Sequence, residues 1–173
     1  MFEWSEELKM VRDAVRTFVD TEIRPHREEL EHGDLPPYDL LRKLYKTFGM
    51  DQMAADSFDK RIATEEAQEG GSSGAASGGE RDRGNGGGFT MLPIIELCKC
   101  SPGMVTAMGV SVGLTAAAIM SKGTTAQKKR WARDILTMEK IGAWAITEPN
   151  SGSDAFGQMA STARRDGDEY VLN

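Results

Sequence analysis

Cysteine and histidine are almost missing from this chain of 173 residues, with two of each. Cys98 and Cys100 form a C-x-C pair; on a helix that spacing points the two thiols to different faces, which suits neither a zinc site nor a redox pair, so reduced thiols are expected. His26 and His32 have no carboxylate or cysteine at ligand spacing, and no metal site is predicted. An excess of positive charge is also lacking. Against 27 acidic residues stand 21 Lys and Arg, a formal charge of −6 with no basic stripe, which argues against nucleic acid as a partner. A leader segment is not visible either: Met1 runs straight into a charged amphipathic stretch with no apolar run and no Arg/Ser-rich composition, so no export signal is expected and the cytoplasm is the expected location. Nine glycines fall between Glu69 and Gly88, yet no Gly-x-Gly-x-x-Gly or Gly-Lys-Ser/Thr follows a strand there, which excludes a nucleotide loop in that run.

What is present reads first as helix. Ser5, acidic Glu6 and Glu7, and apolar Leu8, Val11, Val15, Phe18, Val19 and Ile23 follow the helical period, and Pro25 is predicted to end that helix. A second helix is predicted from Pro36 or Pro37, burying Leu40, Leu41, Leu44, Tyr45 and Phe48 and stopping at Gly49. The run Glu69 to Gly88 has too few apolar side chains to offset its ordering entropy and is predicted to be a flexible surface insertion. Helix resumes over Thr90 to Cys100, and Ser101-Pro102 caps another that runs to Lys122-Gly123. Its body, Met104 to Met120, is apolar on almost every side, as in a helix buried all round or one lying in a membrane. It falls short of the usual span and is rich in Ala, Gly, Ser and Thr, so no membrane span is predicted; it is placed at the centre of the bundle, with Gly109 and Gly113 allowing close packing. Thr124 or Thr125 then caps a basic helix, Gln127 to Leu136, with Trp131 and Ile135 inward.

From Ile141 to Thr147 the pattern changes to strand, and Pro149 forbids continuation of a central strand beyond Glu148. The segment Trp144-Ala-Ile-Thr-Glu-Pro-Asn-Ser-Gly-Ser-Asp154 is therefore a strand running into a Gly/Ser loop. Gly152 and Ser153 offer backbone N–H groups without an obstructing Cβ and a small hydroxyl, so the loop is either an anion cradle or a solvated turn. Ser161 to Arg165 and Glu169 to Asn173 flank Asp166-Gly-Asp, a hairpin turn signal. The fold class expected is mainly α: a helical bundle over residues 1–137 with the insertion 69–88, then, over 138–173, the first strands of a β-barrel-like domain, a truncated α+β arrangement.

Ala145-Ile-Thr-Glu-Pro with Gly152-Ser-Asp154, preceded by Gly123-Thr-Thr-Ala-Gln-Lys-Lys-Arg-Trp131, resembles the acyl-CoA dehydrogenase family of flavoenzymes. The resemblance extends loosely back to Met1, while the Gly-rich run departs from the family's more compact connection. It implies FAD-dependent α,β-dehydrogenation of an acyl-CoA thioester, with Trp144 as an apolar wall beside the flavin, Ile146 and Thr147 at the flavin ring edge, and Gly152 in the same cofactor loop. Ser153 is implied near both the FAD pyrophosphate and the acyl-CoA substrate, Glu148 and Asp154 brace the loop, and Asn150 and Ser151 fall where the family tolerates variation. The family's catalytic base lies beyond these residues, so no catalytic residue is assigned. Implied partners are an electron-transfer flavoprotein or similar acceptor and other subunits of a homo- or hetero-oligomer, a dimer or tetramer. Two other readings remain at this point: a non-catalytic partner subunit of such an enzyme, and an unrelated helical interaction module.

Overall fold

Ser5 opens the first helix by accepting a hydrogen bond from the Leu8 N–H at 3.3 Å. This helix, α1 (Glu6–Phe18), buries Leu8, Val15 and Phe18 on one stripe. Our computed structural model describes residues 4–69 and 86–173. Helical backbone does not stop at Pro25: it passes through a widened turn, Val19–Ile23, and a tight turn, Arg24–His26, into α2 (Arg27–His32). Proline is tolerated there because it occupies the first turn of the tight segment, where its missing N–H has no helical partner to lose. On that turn His26 comes within 3.7 Å of Glu29, three residues on, so the expectation that it stands apart from any carboxylate does not hold.

Next come α3 (Tyr38–Thr47), which buries Leu41, Leu44 and Tyr45 and terminates at Gly49 with φ +64°, and α4 (Met50–Glu69). Sequence patterning did not predict α4. Its apolar stripe is thin: Ala55, Phe58 and Ile62 are its buried residues, and charged side chains surround them. Of the predicted insertion, residues 70–85 lie outside the described residues, while Gly86–Gly88 belong to the first turn of α5 (Gly86–Cys98), which therefore starts before Thr90. Cys98, the last residue of α5, is exposed, and Cys100 lies in the turn beyond the helix and is buried, so the two are not on one helix.

Helix α6 (Pro102–Lys122) is long and apolar enough to cross a membrane by length and composition. It is not buried all round. Met104, Met108, Ser111, Ala116 and Met120 are buried on one face, while Gly109, Gly113 and Leu114, the last 48% exposed, lie open on the other. Small residues on every side had concealed which face packs. The Met face joins Val15, Phe18, Val19, Ile23, Leu41, Leu44 and Leu97 in the main core, and the Phe18 and Phe48 rings meet edge-on at 5.8 Å. A capping box at Thr124 and Gln127 starts α7, made of the consecutive pieces Thr125–Gln127, Lys128–Ala132 and Arg133–Leu136. Its inward residues are Ala132 and Ile135. Trp131 is 40% exposed, contrary to expectation, with Arg130 stacked 5.1 Å from its ring centre. A second core joins Phe58, Ile62, Met120 and Ala132, and Lys128 to Glu65 at 2.7 Å ties α7 to α4.

The chain divides into two compact units, Met1–Ala143 and Trp144–Asn173. In the second, α8 (Ala155–Gln158) is a single turn that sequence reading missed, and β1 (Ala163–Asp166) pairs antiparallel with β2 (Glu169–Leu172). Gly167 has φ +62° and Asp168 does not take a positive φ, the combination of a type II′ turn.

Candidate functional site

Two α6 hydroxyls hold the approach to the Thr-Glu-Pro loop. The buried Ser111 Oγ accepts the Gly142 N–H at 2.9 Å, and the Thr115 Oγ1 donates to the Ala143 carbonyl at 3.1 Å. Gly142 is required by this close approach: a Cβ there would lie 2.6 Å from Thr115 Cγ2 and 2.7 Å from its Cβ. Substitution would push helix and chain apart. Ala143 is thus fixed at the end of the helical unit.

Beyond it, residues 141–147 do not form the predicted strand. No neighbouring strand among the described residues pairs with them, and β-propensity without a ladder partner makes only irregular chain. The consequence for function is that the N–H groups of Ile146 and Thr147 have no hydrogen-bond partner among the described residues. Thr147 is exposed, Ile146 half-buried and Trp144 43% exposed.

The chain then reverses. Glu148 N–H donates to Ser151 O at 2.8 Å and Ser151 N–H to Glu148 O at 3.2 Å, closing a turn with Pro149 at its second position. This turn sets Thr147 and Gly152 on its two flanks. The Glu148 carboxylate accepts the backbone N–H groups of Ala160 at 2.8 Å and Ser161 at 3.0 Å, and these bonds hold its pKa below the usual carboxylate value. Asp154 Oδ1 accepts the Gly152 N–H at 3.2 Å. Both carboxylates are thereby engaged in shaping the loop. Ser153 is exposed, and the space beside Gly152 where a Cβ would stand is empty to 4 Å.

Ser151 is the residue that sequence reading passed over. It is 3% exposed, and its buried Oγ has no hydrogen-bond partner among the described residues. A buried hydroxyl normally finds one. Nothing in a Pro-Asn-Ser-Gly string distinguishes this serine from a solvated one, so no linear signal could have found it. Together the loop offers unpaired backbone donors, two exposed hydroxyls at Thr147 and Ser153, one orphaned hydroxyl, an exposed indole and open space at Gly152. That set fits a ligand with a flat aromatic part and several oxygen or nitrogen acceptors, as a flavin has.

Residues 5–79 and 50–139 match the family model described as acyl-CoA dehydrogenase, N-terminal domain. A short-chain-specific acyl-CoA dehydrogenase of Clostridium acetobutylicum is 28% identical over 99% of this chain and 39% of its own length. Among solved structures, an acyl-CoA dehydrogenase from Geobacillus kaustophilus superposes with a TM-score of 0.69 at 26% identity, over 98% of this chain and 38% of that one. An acyl-CoA dehydrogenase from Bacillus anthracis, solved in complex with FAD, gives 0.59 at 26% identity, over 99% of this chain and 26% of that one. The chain thus spans about two-fifths of the length of the curated relative, 39%.

Proposed function

The chain belongs to the acyl-CoA dehydrogenase family, and from that premise we propose that it supplies the helical part and one wall of the flavin site of an enzyme that dehydrogenates an acyl-CoA thioester. The observation that carries this reading is the pair of unpaired N–H groups at Ile146 and Thr147, next to the exposed Thr147 hydroxyl and the exposed Trp144 ring. Donors left without a protein partner beside an aromatic face are what an electron-accepting ring needs at the edge where charge develops.

Bound FAD would supply the acceptor for the hydride of the acyl β-carbon. The residues of this chain bind and orient. Ile146 and Thr147 hold the ring edge by N–H and hydroxyl donors, Trp144 covers apolar ring surface, and Gly152 leaves room for close approach. Ser153 donates to a phosphate oxygen of the cofactor or of the acyl-CoA. Glu148 and Asp154 keep the loop in shape and transfer no proton. The base that removes the α-proton is assigned outside these residues, and electrons leave through an electron-transfer flavoprotein or a similar acceptor, in an oligomeric enzyme.

Anaerobic titration of the chain with FAD, followed by a panel of acyl-CoA thioesters, tests this. FAD should bind with a perturbed visible band, and acyl-CoA should not bleach it. Thr147→Ala and Ser153→Ala should each weaken FAD binding by about 0.5–3 kcal/mol, one hydrogen bond to a neutral or charged partner. Equal affinities for wild type and both variants would overturn the flavin wall, and substrate-dependent bleaching would overturn the assignment of the base.

A further inference from the structure

The helical unit holds a pocket of about 480 Å³ that the proposed chemistry does not use. Val11 and Val15 of α1, Tyr45 and Phe48 at the end of α3, Met53 of α4 and Val112 of α6 line it, and among the described residues no charged side chain does. Its volume lies within the roughly 300–1,000 Å³ of small-molecule sites. Among these lining residues Tyr45 is the one with a polar side-chain group. Tyr45 is 5% exposed, and its hydroxyl has no hydrogen-bond partner among the described residues. Burial raises its pKa above the ordinary phenol value, so it stays a neutral donor.

We infer that this pocket is a binding site for one neutral amphiphile, an alkyl or acyl chain that ends in a single uncharged oxygen group accepting a hydrogen bond from the Tyr45 hydroxyl. The pocket is partly open to solvent, and the water in it finds one polar side-chain group among the lining residues, so an apolar ligand displaces it at little loss of hydrogen bonding. A carboxylate or phosphate is a poor occupant, because among the described residues no cation lines the pocket to offset its desolvation. An apolar chain loses nothing there. Met50 and Met53 also line the site, and Met53 is 67% exposed; their unbranched thioethers adapt to chains of varied shape.

The test uses the intact chain with its methionine methyls labelled with carbon-13, titrated with 1-octanol and, separately, with octanoate at pH 7. The Met50 and Met53 methyl resonances should shift saturably with 1-octanol, while those of Met10 and Met159 should not. Octanoate should bind at least about tenfold more weakly. Tyr45→Phe should lower the affinity for 1-octanol about fivefold to tenfold, the loss of one hydrogen bond. Ala54→Trp, which fills the pocket, should abolish the shifts. If Ala54→Trp fails to fold, the Tyr45→Phe and octanoate arms still decide. No saturable shift at Met50 and Met53, or equal affinities for 1-octanol in wild type and Tyr45→Phe, would overturn the proposal.

Discussion

In the helical unit Ile23, Leu41, Leu44 and Leu97 are wholly shielded from solvent, whereas every residue of β1 and β2 is exposed. The two parts of one chain are held by different forces. Apolar burial, worth about 1.5–3 kcal/mol per large side chain, organises the helices. Residues 144–173 rely on backbone hydrogen bonds, the paired turn at Glu148 and Ser151, and the Glu148 carboxylate on Ala160 and Ser161. A hairpin with no buried face is marginal in water. The difference teaches where stability can be measured and where it cannot: side-chain truncation should be costly in the first unit and almost silent in the hairpin.

The largest contrast should come from Leu44→Ala, which leaves a cavity in the main core and should lower unfolding free energy by about 2–5 kcal/mol in denaturant titrations. A loss under about 1 kcal/mol would mean the helical core is loosely packed and the contrast false. Gly142→Ala comes next, since the new methyl meets Thr115; about 1–3 kcal/mol should be lost, and Thr115→Gly, which removes every side-chain atom the methyl meets, should cost less in the Gly142→Ala background than in the wild type. Simple additivity would show that the two residues do not touch.

Glu96 sharpens the comparison by charge. It is 3% exposed; burial pushes its pKa up, but hydrogen bonds from Arg16 at 3.1 Å and 3.2 Å and from Lys99 at 2.7 Å outweigh that and hold it below the ordinary value. A depressed carboxylate stabilises the fold above its unfolded pKa of about 4.3, and the contribution is lost as pH falls through the folded value. Glu96→Gln should cost about 1–3 kcal/mol at neutral pH and flatten the acid limb of the stability profile. An unchanged acid limb would remove Glu96 from the account. Glu148 is depressed in the same direction, but it is only half-buried and its partners lie in residues 144–173, so its titration should appear locally, as shifts of the Ala160 and Ser161 amides below the ordinary carboxylate range, with no change in global unfolding. Smallest of all is Leu172→Ala: with the side chain 77% exposed, thermal unfolding should move by no more than about 0.5 kcal/mol.

What could be read from residues alone follows the same division. Caps, stops and single-faced helices were legible because their signals are local: Ser5, Gly49, Thr124 with Gln127, and Asp166-Gly167 each act within a few residues. Helix α4 was not legible, because three buried apolar residues among charges make no conspicuous stripe, and its fixing by Lys128 and Glu65 joins positions 63 apart in sequence. The face of α6 that packs was hidden by uniform small-residue composition, and Trp131 was placed inward by its type when Ala132 is the residue that packs. At the candidate site the residue types were visible, but the bare N–H groups at Ile146 and Thr147 and the orphaned Ser151 hydroxyl depend on which partners the fold withholds. Such absences have no sequence signature.

The hairpin of β1 and β2 has a further consequence, for behaviour in solution. Among the described residues each of the two strands has one neighbour, so each presents an outer row of unpaired backbone donors and acceptors, with Tyr170, Val171 and Leu172 uncovered beside them. Such edges are templates for strand addition. Four charged residues stand in these strands, Arg164, Arg165, Asp166 and Glu169, and both signs are present, so mutual repulsion between copies is weak. Pairing of copies through these strand edges is therefore a route to association, and it should grow with protein concentration.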